Sequence, residues 1–176
     1  MRVLGISLGT TTSGVAVISG GELIHWHIHS FRDRWSAAKA AAIATRFERY
    51  VVQHNPRIIV IKIPPPHHHS TAIKQLLKKV ATVLQYQGCM VEYKTKEEVK
   101  SVEMKINNHH QLMNYALERY PILLPEYEKA VAGKNHYHAK LFDAVMAAHQ
   151  ASVVQRDMRN TCTTERESSV RRWRGS

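Results

Sequence analysis

The chain opens with short apolar runs cut by turn residues. Residues 2–7 (RVLGIS) and 13–18 (SGVAVI) read as buried strands, and residues 22–30 (ELIHWHIHS) as a third strand behind a Gly20-Gly21 hairpin turn. The period then lengthens. From Ser36 to His54, Ala37, Ala41, Ala44, Phe47 and Val51 keep the three-to-four spacing of a helix with one buried face, and Asn55-Pro56 ends it. Residues 57–63 (RIIVIKI) are almost continuously apolar, as a strand covered on both faces requires, and three prolines stop the run. An amphipathic helix over 71–86 ends at Gly88. A fifth strand follows at 89–94, then a short helix behind a Thr95/Glu98 capping box. Helices are also predicted from Asn108 to Arg119, closed by Pro121, and from His138 to Gln155. Residues 156–176 carry no apolar period and read as a basic, mobile tail.

This order predicts an α/β domain over residues 1–155. Hairpins make the first three strands antiparallel, and helical crossovers make the fourth and fifth parallel to the first. The two most apolar strands, one and four, belong at the centre of a five-stranded mixed sheet of order 3-2-1-4-5, flanked by helices.

Charge changes the picture more than length does. The 176 residues hold 25 Lys and Arg against 14 Asp and Glu, a formal +11. Residues 1–150 hold 19 basic and 11 acidic groups, so the excess lies in the body and not only in the tail. Such a body attracts phosphate polymers, because binding releases their condensed counterions. No run of about 18 apolar residues suggests a membrane span. The N-terminal run is cut at once by Gly5, Ser7 and Gly9, unlike a signal peptide. Cys89 and Cys162, far apart, form no disulfide framework. A cytoplasmic setting is expected.

Three segments carry a resemblance to the RuvC-type branch of the ribonuclease H-like superfamily. GISLGTTTSGVAVI is similar to that family's strand–turn–strand opening, with Ser7 where the family has Asp. RIIVIKIPP resembles its fourth strand, with Lys62 in place of a catalytic Glu. AKLFDAVMAAH resembles its last helix, where two Asp stand three residues apart; here these are Lys140 and Asp143. Val99-Lys100 sits where the family often has such a pair, but the Gly-rich loop that commonly follows is absent. The resemblance implies a site of four carboxylates holding two Mg²⁺ ions about 4 Å apart. Asp143 is the one carboxylate retained, and the formal charge of the four positions goes from −4 to +1. Asp143 is expected to bridge Lys62, Lys140 or both. No metal and no other cofactor is then expected, and Mg²⁺ enters only if the chain is an active nuclease.

Other residues are candidates for binding. Thr10, Thr11 and Thr12 can present N–H groups and hydroxyls to a phosphate; Lys100 adds charge; Arg171, Arg172 and Arg174 flank Trp173, a combination suited to backbone charge and base stacking. His25, His27 and His29 alternate along the third strand, and an exposed strand face is preferred to a metal site. His67, His68 and His69 follow the fourth strand, and His136 and His138 precede the last helix. Four readings compete. The first is a catalytically degraded RuvC-like domain that binds a DNA junction or RNA through a basic surface. The second is an active junction-resolving endonuclease with a shifted site using Glu92, Glu98 or Glu103. The third is an ATP-using domain, since the opening also resembles the phosphate loop of the actin/sugar-kinase superfamily, although one such domain cannot enclose ATP. The fourth is a protein-interaction scaffold. A homodimer is a further expectation from the resemblance.

Overall fold

The computed structural model describes residues 1–85, 87–100, 106–133 and 137–155. Five strands form one sheet: β1 (Arg2–Ser7), β2 (Thr12–Ser19), β3 (Glu22–Ser30), β4 (Ile58–Lys62) and β5 (Met90–Lys94). Their order is β3-β2-β1-β4-β5. β1 pairs antiparallel with β2 and parallel with β4, and β4 pairs parallel with β5, as the connections predict. Helix α1 (Ala37–His54) links β3 to β4, and α2 (Thr71–Gln85) links β4 to β5. Then come α3 (Lys96–Lys100), α4 (His109–Arg119), α5 (Leu124–Ala132) and a last helix, α6, over 139–155. No helix of the described residues is long and apolar enough to cross a membrane.

The caps are those the sequence signals. Ser36 accepts from the Lys39 N–H at the start of α1, and Asn55 closes that helix in the left-handed conformation at φ 45°. Thr95 and Glu98 complete a reciprocal capping box at α3. Helix α5 and the 3-10 turn Pro121–Leu123 before it are not predicted above. Pro121 does close α4, but it also opens the next turn, and Pro125 sits in the first turn of α5, where no intrahelical N–H is required.

Strand alternation divides the core into two layers. Leu4, Ile6, Val15, Val17, Ile59 and Ile61 pack under α1 and α2 around Phe47 and Leu76. Val3, Ala16, Ile18, Ile58 and Val60 face the other way, toward Phe142, Val145 and Leu112. Fully buried Phe47 and Phe142 each stabilise the fold by about 1.5–3 kcal/mol. Helix α6 lies directly on the backbone of β1 and β2. A Cβ at Gly5 would come within 2.1 Å of the Ala144 carbonyl, and one at Gly14 within 2.1 Å of the Lys140 carbonyl. Glycine is required at both positions by this approach.

Of the β3 histidines, His27 is exposed as the alternation suggests, but His25 is half-buried and His29 is buried. His29 is 9% exposed, and its Nε2 shares a 2.8 Å hydrogen bond with the Tyr50 hydroxyl on α1. The His25 ring sits 5.3 Å from Tyr50 and 5.2 Å from His54. Alternation correctly puts these rings on one side of the strand, but α1 crosses that side. Trp26 and Ile28 turn to the opposite layer, and a bulge near Ile18 lets Leu23 join them there. Burial lowers the His29 pKa to about 4, aided by His27, Arg46 and His25, and lowers His25 and His54 in the same direction.

Gly14→Ala is expected to lose roughly 1–3 kcal/mol in urea unfolding, because the new methyl meets helix backbone and not a movable side chain; an unchanged midpoint would contradict the close packing. Stability should also fall with acid. His29 is neutral in the fold and titrates near 6.5 when unfolded, so its contribution is complete above pH 6.5 and is lost as pH falls toward 4. Urea titrations between pH 7 and pH 4 should show this loss, and His29→Gln should flatten it.

Candidate functional site

Register brings the site together. Ser7 and Lys62 are Cα partners at the carboxyl ends of β1 and β4, on the sheet face that carries α6. Asp143 comes to this face from the second turn of α6. Lys62 Nζ donates to Asp143 Oδ2, and both side chains are buried, at 10% and 7% exposure. His109, the first residue of α4, brings Nδ1 within 3.6 Å of Asp143 Oδ1. Asn108 caps that helix by accepting from the Gln111 N–H, which sets the position of His109. Burial lowers the His109 pKa; Asp143 works against this, and Lys62, Lys96 and Lys100 add to it. The Ser7 side chain is wholly buried, and its Oγ has no hydrogen-bond partner among the described residues.

Lys140 does not share the carboxylate. One turn before Asp143, it donates instead to the Leu8 carbonyl at 2.9 Å, at the end of β1. Its pKa is pushed down to about 8, first by burial and then by Lys62, with Asp143 opposing. Lys140 thus stays largely protonated at neutral pH. It stands at the inner wall of a cleft of about 630 Å³, with Thr10, Thr11, Thr12, His68 and Tyr137 around it. The turn itself is braced locally: Ser13 Oγ donates to the Gly9 carbonyl at 3.0 Å and accepts from the Gly9 N–H at 3.2 Å. The cleft therefore offers an ammonium group beside a threonine-rich turn.

The remaining candidates separate. Val99 is core, while Lys100 reaches the Asn107 carbonyl at 3.2 Å on an exposed surface. His67 and His68 form an exposed 3-10 turn with Pro66, and His69 Nε2 hydrogen-bonds the Pro64 carbonyl at 2.7 Å. His138 Nδ1 lies 3.4 Å from Glu126. Glu98 is spent on the α3 cap, and Glu92 lies 4.0 Å from Lys94 on the edge strand. Arg171, Arg172, Trp173, Arg174, Cys162, Glu103 and His136 lie outside the described residues, as does the tail 156–176. His109 was not predicted. Its only local signal is the Asn108 cap, which places a helix start there but not its neighbour across the fold.

A pair of divalent ions does not fit this donor set. The four positions supply one carboxylate, already engaged by an ammonium, and a second ammonium at the cleft wall. An ammonium 4 Å from a divalent ion costs about 8 kcal/mol at an effective dielectric of about 20. Among the described residues, no three of His, Cys, Asp and Glu gather as metal ligands.

The pair predicts a mutational pattern. Lys62→Met and Asp143→Leu should each lose about 3–5 kcal/mol, because each strands a buried charge. The double variant should recover most of that loss in thermal or urea unfolding. Additive losses would show that the two groups do not depend on one another.

No protein-family model and no curated protein sequence matches the chain. Solved structures do. Thermus thermophilus RuvC in complex with a Holliday junction substrate superimposes with a TM-score of 0.70 at 16% identity, over 89% of this chain and 95% of that one. A second structure of Thermus thermophilus RuvC gives 0.66 at 16% identity, over 89% and 96%. With the sheet order and the crossovers, these likenesses establish that the chain has the RuvC type of ribonuclease H-like fold.

Proposed function

We propose that this protein is a RuvC-like domain that binds structured nucleic acid, a DNA junction or RNA, through its basic surface and does not cleave it by a two-metal reaction. The observation that carries the reading is the Lys62 ammonium seated on Asp143 in the position where the resemblance implies metal ions. A carboxylate so engaged, next to a serine and a second lysine, leaves a hard divalent cation without its oxygen ligands. Binding is favoured by the excess of 19 basic over 11 acidic groups in residues 1–150 and by the threonine-lined cleft closed by Lys140. A RuvC of the same fold is described in complex with a Holliday junction. Homodimer formation goes with this reading.

In such a cleft Lys140 meets a phosphate oxygen as a point charge, and the Thr10–Thr12 turn supplies hydroxyl and N–H donors. In this reading Lys140 acts by its charge and the turn by its hydrogen-bond donors. The product of the encounter is a held nucleic acid and not a cut one.

Affinity for a four-way DNA junction, duplex DNA and folded RNA should be measured at two salt concentrations. Dissociation constants should rise at least about tenfold between 50 and 200 mM salt. Lys140→Gln should weaken binding and reduce the salt slope. No strand cleavage is expected with Mg²⁺ or Mn²⁺. Cleavage that Asp143→Asn abolishes would establish an active nuclease, and absence of binding to all three probes would leave a protein-interaction scaffold.

A further inference from the structure

A second, smaller cavity of about 220 Å³ adjoins the cleft and shares Tyr137 with it. Its walls are Trp26 and Ile28 from β3, Leu141 from α6 and Tyr137. Glu126 from α5, His138 and His27 of β3 supply its polar groups, and of these only Glu126 is a carboxylate. We propose that this cavity receives one unpaired nucleobase, of the kind that carries an exocyclic amino group, when a nucleic acid lies in the cleft. The proposal rests on the nucleic-acid reading above and names the feature of the polymer that the site selects.

Size, surface and polarity point the same way. The volume is below the roughly 300–1,000 Å³ of sites for whole small molecules, so it suits a single ring system of a ligand that continues elsewhere. The continuation is at hand, because Tyr137 lines both this cavity and the phosphate-suited cleft of Lys140 and Thr10–Thr12. Aromatic faces are the general platform for an unstacked base. Trp26 is half-buried and held against the core, and the Tyr137 ring is braced edge-on by His138 at 5.2 Å and 78°. Both walls are therefore set before a ligand arrives.

Glu126 gives the cavity its selectivity. Lys129 Nζ donates to its Oε1 at 3.0 Å, and Oε2 lies 3.4 Å from His138 Nδ1. A carboxylate only accepts hydrogen bonds. It therefore suits the amino group of guanine, adenine or cytosine, and in guanine the adjacent N1–H as well; thymine and uracil offer a single N3–H between two carbonyls that a carboxylate opposes. A fully paired duplex keeps its bases stacked and offers the cavity nothing.

The test uses the full chain and three fluorescein-labelled DNA probes: a paired duplex, the same duplex with one bulged guanine, and the same duplex with one bulged thymine. The guanine bulge should bind about fivefold or more tightly than the paired duplex, the range of one base–aromatic stack. Trp26→Ala should bring that ratio to one. Glu126→Gln should bring the guanine and thymine bulges together while both stay above the paired duplex. If Trp26→Ala does not fold, Trp26 fluorescence in a Trp35→Phe, Trp173→Phe background decides: the guanine bulge should quench it and the paired duplex should not. Equal, salt-dependent binding of all three probes, or no quenching by the guanine bulge, would overturn this inference and leave the nucleic-acid reading standing. No binding to any probe would overturn both.

Discussion

A charged group taken into a protein core must meet its counter-charge there, because the interior solvates it poorly. Lys62 ends a central strand on the inner face of the sheet, where β1 and β5 flank it and α6 covers it. Its ammonium cannot turn to water without leaving that layer. Asp143 is the group within reach, and its carboxylate accepts the ammonium at one oxygen while His109 approaches the other. The contact joins β4 to α6 across 81 residues of sequence and reaches α4 through His109. It orders the elements at the carboxyl end of the sheet, and the cleft beside it takes its shape from the same elements.

The pair acts only because α6 lies so close. Gly5 and Gly14 remove the side chains that would hold the helix away, and the Lys140 and Ala144 carbonyls rest almost on the strands. At that distance Lys140 reaches the Leu8 carbonyl and turns its charge toward the turn after β1. A helix set farther out would leave Lys62 without a partner and Lys140 in solvent. Packing and electrostatics are therefore one constraint here: the glycines allow the approach, and the approach lets a buried lysine be neutralised.

Much of this was legible in the chain because it is periodic. Alternation and apolar runs set the five strands; the hairpins, the helical crossovers and the apolarity of strands one and four set their order. The three segments that carry the family resemblance brought Ser7, Lys62 and Asp143 to one site before any distance was known. What could not be read depends on which element covers which face. The β3 histidines share a side, as their spacing says, yet nothing local states that Tyr50 and His54 of α1 cover it. His109 meets Asp143 through a contact between segments far apart in sequence, and no local pattern encodes such a contact. Helix α5 was hidden by Pro121 and Pro125, which end one helix and begin another with equal ease.

Sixteen per cent identity with a TM-score of 0.70 separates what the fold demands from what the site demands. The fold demands apolar alternation and glycine where a helix touches a strand. Neither demand fixes the charge at positions 7, 62, 140 and 143. Those four are tied to one another instead. One lysine among three carboxylates would oppose a metal without replacing it, and one carboxylate lost from a lysine pair would leave a buried ammonium with no partner, at about 3–5 kcal/mol. Intermediate sets are thus unfavourable, and the positions hold either a cation-gathering group or a self-neutralising one. With Lys62 on Asp143 the chain has the second, and Lys140 keeps its own positive charge at the wall of the neighbouring cleft.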